Sequence, residues 1–219
     1  MSITSASRLA PASGRAPRQI VLLLHGYGSN GADLISLAPH WRPLLPDALF
    51  VAPNAPGRVS VFSGGYQWWE LTNLAPQALA RGAAGAAAGL DAYIDSLLDE
   101  HGLTEERLAI VGFSQGTMMA LHVGVRRSRQ IAGIVGYSGM LTGAATLAHE
   151  VVTKPPVLLV HGSSDSVVPV AALDQARNVL ERLGFDVAAH ICQGLGHSVD
   201  PAGLRLGGEF VRKVLGGAD

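Results

Sequence analysis

The chain has 219 residues, of which 48% are hydrophobic and only 15% are charged, a composition that excludes an intrinsically disordered protein. Its formal net charge is −1, and no cluster of lysine and arginine indicates binding to nucleic acid or to an anionic membrane. The charge balance therefore favours a small or neutral substrate.

The first 17 residues are rich in alanine, serine and proline and are predicted to be an N-terminal extension, either a short edge element or flexible chain. They lack the charged start and apolar run of a secretory signal, and no apolar stretch reaches the roughly 20 residues of a membrane span. The single cysteine, Cys192, excludes an intrachain disulfide and suits a reducing compartment. We therefore expect a cytoplasmic protein with one domain over residues 18–219.

Short apolar runs alternate with longer helical segments along the rest of the chain. The predicted strands cover residues 20–24, 48–52, 108–111, 131–135, 157–160 and 187–191. The predicted helices cover residues 31–40, 74–100, 115–127, 171–183 and 202–214. Branched aliphatic runs such as the first are typical of strands buried on both faces. The alternation predicts an α/β fold with a mostly parallel central sheet and helices on both of its faces.

Residues 82–89 consist almost entirely of alanine and glycine. One interpretation is a flexible hinge. The interpretation we favour is a helix whose small side chains let it lie close to the sheet, although each glycine costs such a helix about 1 kcal/mol relative to alanine.

The pentapeptide Gly112-Phe113-Ser114-Gln115-Gly116 lies between a predicted strand and a predicted helix. In this context the G-x-S-x-G pattern indicates a nucleophilic serine, because the tight strand-to-helix turn exposes the serine hydroxyl in a strained conformation. Glycines are needed on both sides, since a Cβ there would collide with the neighbouring backbone. The N-terminus of the helix favours negative charge on an oxyanion at the same point. Ser114 is therefore the predicted nucleophile.

A serine hydroxyl needs a base to take its proton during attack, and in this arrangement the histidine comes last in the chain, after the acid. Of the eight histidines, only His197 lies in a glycine-flanked loop late in the sequence. Asp165 follows the strand 157–160, so its carboxylate would emerge at the carboxyl edge of the sheet, where open α/β sheets bind ligands. It would accept the Nδ1 proton of His197.

Two other aspartates, Asp186 and Asp200, are weaker candidates for the acid, because the first opens a strand and the second follows the histidine. His25 and His161 both stand in His-Gly strand ends and are interpreted as structural residues.

The second oxyanion donor is expected in the glycine-rich loop after the first strand, Leu24-His25-Gly26-Tyr27-Gly28. Its glycines let the backbone turn an N–H group into the site, and the N–H of Tyr27 is the predicted donor, beside that of Gln115. The loop lacks the G-x-x-x-x-G-K-[ST] pattern, so nucleotide binding is not expected.

Taken together, these motifs resemble the phospholipase/carboxylesterase group, which includes acyl-protein thioesterases. The matching pieces lie in family order and run from about residue 20 to the end: Leu24-His25-Gly26-Tyr27-Gly28, Gln67-Trp68-Trp69, Gly112-Phe113-Ser114-Gln115-Gly116, His161-Gly162 with Asp165 and Pro169, and Gly196-His197. The resemblance implies an α/β-hydrolase fold without a large cap domain. It also implies hydrolysis of esters or thioesters through an acyl-enzyme, with the backbone amides of Tyr27 and Gln115 forming the oxyanion hole.

The segment 64–70 is similar to the family's substrate-side loop. Trp68 falls where the family keeps tryptophan, whereas Trp69 stands where phenylalanine or tyrosine is more common. Adjacent indoles could line an apolar acyl channel or belong to the core. Trp68, Trp69 and Met140 are the predicted substrate-binding residues.

The leading functional hypothesis is a serine carboxylesterase for small to medium acyl esters. An acyl thioesterase or lysophospholipase for long chains is the alternative, and a non-catalytic ligand-binding protein with the same fold is a third. No metal, organic cofactor, nucleic acid or stable membrane association is expected. A homodimer is left open.

Overall fold

A computed structural model describes residues 3–59 and 64–216. Its main sheet contains seven strands: β1 (Ala6–Leu9), β2 (Gln19–Leu24), β3 (Ala48–Pro53), β6 (Leu108–Phe113), β7 (Gly133–Tyr137), β8 (Val157–Gly162) and β9 (Val187–Cys192). Two short strands between β3 and β6, β4 (Gly57–Arg58) and β5 (Tyr66–Gln67), form a separate antiparallel pair.

The order of strands across the main sheet is β1-β3-β2-β6-β7-β8-β9. Every neighbouring pair is parallel except β1 with β3. The mostly parallel sheet predicted from the sequence is therefore confirmed, and strand β1 of the N-terminal extension supplies its antiparallel edge.

Seven α-helices connect the strands within the described residues. They are α1 (Gly31–Leu34), α2 (Ala38–Trp41), α3 (Pro76–His101), α4 (Gln115–Gly124), α5 (Leu147–Glu150), α6 (Ala171–Arg182) and α7 (Pro201–Val214). None of them combines the length and the apolar character needed to cross a membrane. No large cap interrupts the alternation of strands and helices in the described chain.

The sheet buries both faces, as the unbroken aliphatic run of β2 predicts. Ile20, Leu22 and Leu24 belong to one core cluster, which also contains apolar side chains of α3, α4 and α6. Val21 and Leu23 point to the other face, where they join side chains of α2 and α7. Alternate residues of one strand thus serve two separate cores.

The helix α4 lies unusually close to the end of β2. A Cβ atom built on Gly116 would overlap the carbonyl oxygen of Leu24 and lie 2.8 Å from that of His25. Because both obstacles are backbone atoms, neither can rotate away. This contact holds the first turn of α4 against the carboxyl edge of the sheet.

We expect Gly116→Ala to lower the free energy of unfolding by about 3 kcal/mol, the upper part of the range for overpacked sites. Gly85 of α3 is a matched control, since a Cβ there meets nothing within 4 Å. Gly85→Ala should raise the stability by up to about 1 kcal/mol through helix propensity. Urea unfolding of both variants checks this, and equal effects would contradict the close approach of α4 to β2.

Candidate active site

Ser114 stands at the turn between β6 and α4 with φ 54° and ψ −114°. A positive φ is strained for a residue with a Cβ, and such outliers cluster at functional sites. The turn is held by the N–H of Ser114, which donates to the carbonyl of Tyr137 at 2.9 Å. A Cβ on Gly112 would lie 2.5 Å from backbone atoms of Gly116. The glycines on either side of the serine are therefore required by close packing, as predicted.

Asp165 and His197 form a direct hydrogen bond, 2.7 Å from Oδ2 to Nδ1. The carboxylate is fully buried, whereas the imidazole is 18% exposed. Asp165 Oδ1 accepts two further bonds, from the N–H groups of Val167 and Val168, both at 2.9 Å. Burial raises the pKa of Asp165, but the bonds from His197, Val168 and Val167 outweigh it and leave the pKa below the ordinary value. The carboxylate is thus ionised at neutral pH.

Backbone hydrogen bonds join the turn that carries Asp165 to the loop that carries His197. Ser164 N–H donates to the carbonyl of Leu195 at 2.9 Å, and Ser163 N–H donates to that of Cys192 at 3.0 Å. A Cβ on Gly162 would lie 2.5 Å from the carbonyl oxygen of Gly196, so the two segments touch backbone to backbone. The position of Asp165 relative to His197 is therefore fixed by main-chain contacts.

The predicted nucleophile lies beside this pair. The ring of Phe113, the residue before Ser114, packs on the imidazole of His197 with centroids 4.9 Å apart. Within residues 3–59 and 64–216, no hydrogen bond joins Ser114 Oγ to His197. Hydrogen bonds between a nucleophile and its base often tighten only when substrate binds.

Neither predicted oxyanion donor gives its N–H to a backbone carbonyl within the part of the chain that the structure describes. In the loop after β2, the N–H groups of Gly28 and Ser29 are occupied by the carbonyls of Tyr66 and Gly26. Across the described residues, the N–H groups of Tyr27 and Gln115 have no acceptor among the turn and loop hydrogen bonds. Gln115 is the first residue of α4, so its N–H also carries the positive end of the helix dipole.

His25 has a structural role, as its sequence position indicated. It is fully buried, and its Nε2 accepts a hydrogen bond from the N–H of Ala55 at 3.0 Å. Its Nδ1 must then carry the proton and donate to the carbonyl of Gly26 at 2.7 Å. Burial lowers the pKa of His25, which keeps this neutral form at pH 7. The ring thereby shapes the loop that presents the N–H of Tyr27.

The side chain of Gln115 is a feature that sequence reasoning missed. It is fully buried; its Oε1 accepts from the N–H of Trp68 at 3.0 Å, and its Nε2 donates to the carbonyl of Trp69 at 2.8 Å. The turn that carries Ser114 is thus tied to the backbone of Trp68 and Trp69. A glutamine in the G-x-S-x-G pattern offers a donor and an acceptor for such a link, but the partner loop cannot be read from the motif.

Both indoles pack inward. Trp68 is 5% exposed, and its Nε1 donates to the carbonyl of His25 at 3.0 Å. Trp69 packs against α3, where a Cβ on Gly82 would overlap the indole. The alanine and glycine stretch is therefore helical, as favoured, and its glycine makes room for an indole.

A cavity of about 1090 Å³ opens beside Ser114. Its walls come from α3, from the loop after β7 and from α6, and Arg81 is the only charged side chain among the described residues that line it. Met140 lines this cavity, whereas Trp68 and Trp69 do not. The principal apolar lining residues are Leu71, Leu74, Leu79, Met118, Met140, Leu141, Val167, Val168 and Val179.

The predicted nucleophile, the predicted base with its buried acid and the two predicted backbone donors thus follow the carboxyl ends of strands of one sheet, and Ser114 and Gln115 line the apolar cavity. This set of groups can stabilise a tetrahedral oxyanion and transfer a proton. Among the described residues, no group of three or more histidine, cysteine, aspartate or glutamate side chains is arranged to hold a metal ion.

Comparison with known sequences gives consistent results. The profile of the Phospholipase/Carboxylesterase family matches residues 10–215. Acyl-protein thioesterase 1 of Gibberella zeae is 31% identical over 232 residues, which cover 96% of this chain and 98% of that protein. Esterase YpfH of Escherichia coli is 25% identical, with 90% of this chain and 84% of that protein covered.

Comparison with solved structures extends the result to the fold. The crystal structure of esterase PE8 matches with a TM-score of 0.93 and 41% identity, over 98% of this chain and 100% of that one. SOBER1 of Arabidopsis thaliana, at 23% identity, shares the fold with a TM-score of 0.80 over 90% of this chain and 99% of that one. The chain therefore belongs to the phospholipase/carboxylesterase family of hydrolases and has their α/β-hydrolase fold.

Proposed function

We propose that this chain is a serine carboxylic ester hydrolase in which Ser114 is the nucleophile, His197 the general base and Asp165 the acid that orients it. The observation that carries the proposal is the 2.7 Å bond between Asp165 and His197, formed beside a serine in a strained strand-to-helix turn. The names of the relatives, which are esterases and acyl-protein thioesterases, support the same reaction class.

In the proposed reaction, Ser114 Oγ attacks the ester carbonyl carbon while His197 Nε2 takes the hydroxyl proton. The resulting oxyanion accepts hydrogen bonds from the N–H groups of Tyr27 and Gln115. His197 then returns the proton to the leaving alcohol or thiol as the acyl-enzyme forms. A water molecule, deprotonated by His197, releases the acid and restores Ser114.

Asp165 has two functions in this scheme. By accepting the Nδ1–H bond it selects the tautomer whose Nε2 can receive a proton. Its negative charge also stabilises the imidazolium formed in both half-reactions. The low pKa of Asp165 is consistent with this role, because the group remains a carboxylate throughout the cycle.

The substrates we propose are small to medium acyl esters. Long-chain thioesters or lysophospholipids are a second candidate, favoured by one observation: the cavity of about 1090 Å³ is at the upper end of the size of small-molecule sites and is lined mainly by apolar side chains. The acyl group would lie in this cavity, with its carbonyl at Ser114.

A series of p-nitrophenyl esters and matched thioesters from C2 to C16 separates these candidates. Each methylene buried contributes about 0.8 kcal/mol, so kcat/KM should rise by up to about fourfold per methylene while the chain remains in the cavity. The length at which the increase stops reports the usable depth. A maximum at C4 to C8 on esters supports the first candidate, and a maximum at C12 or longer on thioesters supports the second.

Ala80→Phe tests whether the acyl chain occupies the cavity. Ala80 lines it on α3, and its Cβ lies 3.8 Å from the position of a Cβ built on Gly143 across the gap. We expect kcat/KM of the variant to fall at least tenfold on the p-nitrophenyl ester with the longest acyl chain that the original protein hydrolyses efficiently. On p-nitrophenyl acetate, kcat/KM should be unchanged. Ala88→Phe, exposed on the same helix, is the control. An equal loss for short and long chains would contradict this location.

A further inference from the structure

A second histidine, His161, lies against the same carboxylate oxygen of Asp165 that His197 contacts. His161 occupies the carboxyl end of β8, and its side chain is 1% exposed. Its Nε2 is 2.8 Å from the carbonyl oxygen of Val168 and 3.3 Å from Asp165 Oδ2. Asp165 Oδ2 therefore contacts two imidazoles, that of His197 in the proposed catalytic group and that of His161.

The partner of His161 defines its tautomer. A carbonyl oxygen only accepts hydrogen bonds, so the 2.8 Å contact with Val168 requires a proton on Nε2 of His161. The hydrogen bond of this N–H goes to Val168, and its contact with Asp165 Oδ2, at 3.3 Å, is a close approach without a hydrogen bond.

Val168 links His161 to the acid through two hydrogen bonds. Its carbonyl accepts from His161, and its N–H donates to Asp165 Oδ1 at 2.9 Å. The peptide segment that holds one carboxylate oxygen is thus itself held by His161. If this anchor were lost, the segment could shift, and Asp165 Oδ2 would no longer be fixed opposite His197.

We propose that His161 is a positioning residue for the reaction: it fixes the turn at Val168 so that Asp165 presents Oδ2 to His197 Nδ1. The inference rests on the proposed function, since it requires Asp165 to act through His197. Sequence reasoning interpreted His161 as a structural strand end. The structure places it at the end of β8, in contact with the acid on the turn that follows.

Three substitutions separate positioning from simple packing. His161→Leu keeps the volume and removes the donor. His161→Asn keeps an amide that is too short to place its donor at the Nε2 position. His161→Gln can place an amide N–H near that position. We expect kcat on p-nitrophenyl butyrate to fall about tenfold to a hundredfold in the first two, the cost of misplacing a catalytic group by about 1 Å, with KM almost unchanged. His161→Gln should recover kcat to within about threefold of the original chain.

A double-mutant cycle tests whether the effect passes through the acid. In an Asp165→Asn background, His161→Leu should change kcat by less than twofold, because the group it positions is already disabled. His122→Leu is the matched control: His122 is buried on α4, away from the acid, and its Nδ1 has no hydrogen-bond partner among the described residues. That variant should keep kcat within about twofold.

All rates are normalised to the active sites titrated with a fluorophosphonate. If His161→Leu fails to fold, His161→Asn and His161→Gln are compared instead. Equal kcat values in these two variants overturn the proposal. It is also overturned if the loss in His161→Leu is fully additive with that of Asp165→Asn. An unchanged kcat in Asp165→Asn alone would contradict the proposed function itself, and the positioning role with it.

Discussion

Ser114→Ala should lower kcat for p-nitrophenyl butyrate by about 10⁴- to 10⁶-fold, the loss seen when a serine nucleophile is removed from a cooperating catalytic group. The remaining donors can still polarise the ester, but no hydroxyl stands at the strained turn to accept the acyl group. Alanine is smaller than serine and leaves the hydrogen bond from the backbone N–H to Tyr137 intact. The fold should therefore be retained, as circular dichroism would show.

The control for this variant is Ser96→Ala, which removes an exposed serine from α3 and should leave the rate unchanged. A Ser114→Ala protein that hydrolyses the ester at the original rate would assign the nucleophile to another residue. The non-catalytic alternative would be favoured if the original chain bound an acyl ligand tightly but turned over neither esters nor thioesters.

Asp165→Asn should lower kcat by about 10⁴-fold, as the loss of an orienting carboxylate does in serine hydrolases with this arrangement. Oδ1 of the asparagine can still accept from Val167 and Val168, so the turn should keep its shape. The new amide group then meets His197 Nδ1 as a donor and favours the tautomer with the proton on Nε2. In that form the imidazole cannot accept the proton of Ser114.

Asp200→Asn provides the matched control for the loss of a carboxylate. Asp200 caps α7 by accepting from the N–H of Gly203 at 2.7 Å, and asparagine caps helices about as well. Its kcat should stay within about twofold of the original chain. If Asp200→Asn lost the larger share of activity and Asp165→Asn the smaller, the acid would have been assigned to the wrong residue.

The central sheet was predictable because β2, β3, β6, β7 and β8 are buried on both faces and therefore read as continuous apolar runs. For the N-terminal extension the sequence left a short edge element and flexible chain as alternatives, since Ala6–Leu9 is mostly half-buried and carries a polar and a charged residue. The predicted helix over residues 31–40 is divided into α1, a 3₁₀ turn and α2. Pro39, which lacks an N–H, lies in the first turn of α2.

The candidate site, too, was predictable from the sequence only in part. Ser114, Asp165 and His197 each follow a strand, so the topology of a parallel sheet predicts that they share one edge. The locations of Trp68 and Trp69 depend on contacts with Gln115 and Gly82, which no local pattern reveals. The contact of His161 with the acid likewise depends on the conformation of the turn between them.

The most direct test of the account is to identify the residue that a fluorophosphonate modifies. Intact-mass measurement followed by peptide mapping should find one adduct per chain, located on Ser114 and absent from Ser114→Ala. Labelling should be strongly slowed in His197→Ala, because the hydroxyl would lack its base. An adduct on a different residue, or continued ester turnover in a chain whose Ser114 is fully modified, would contradict it.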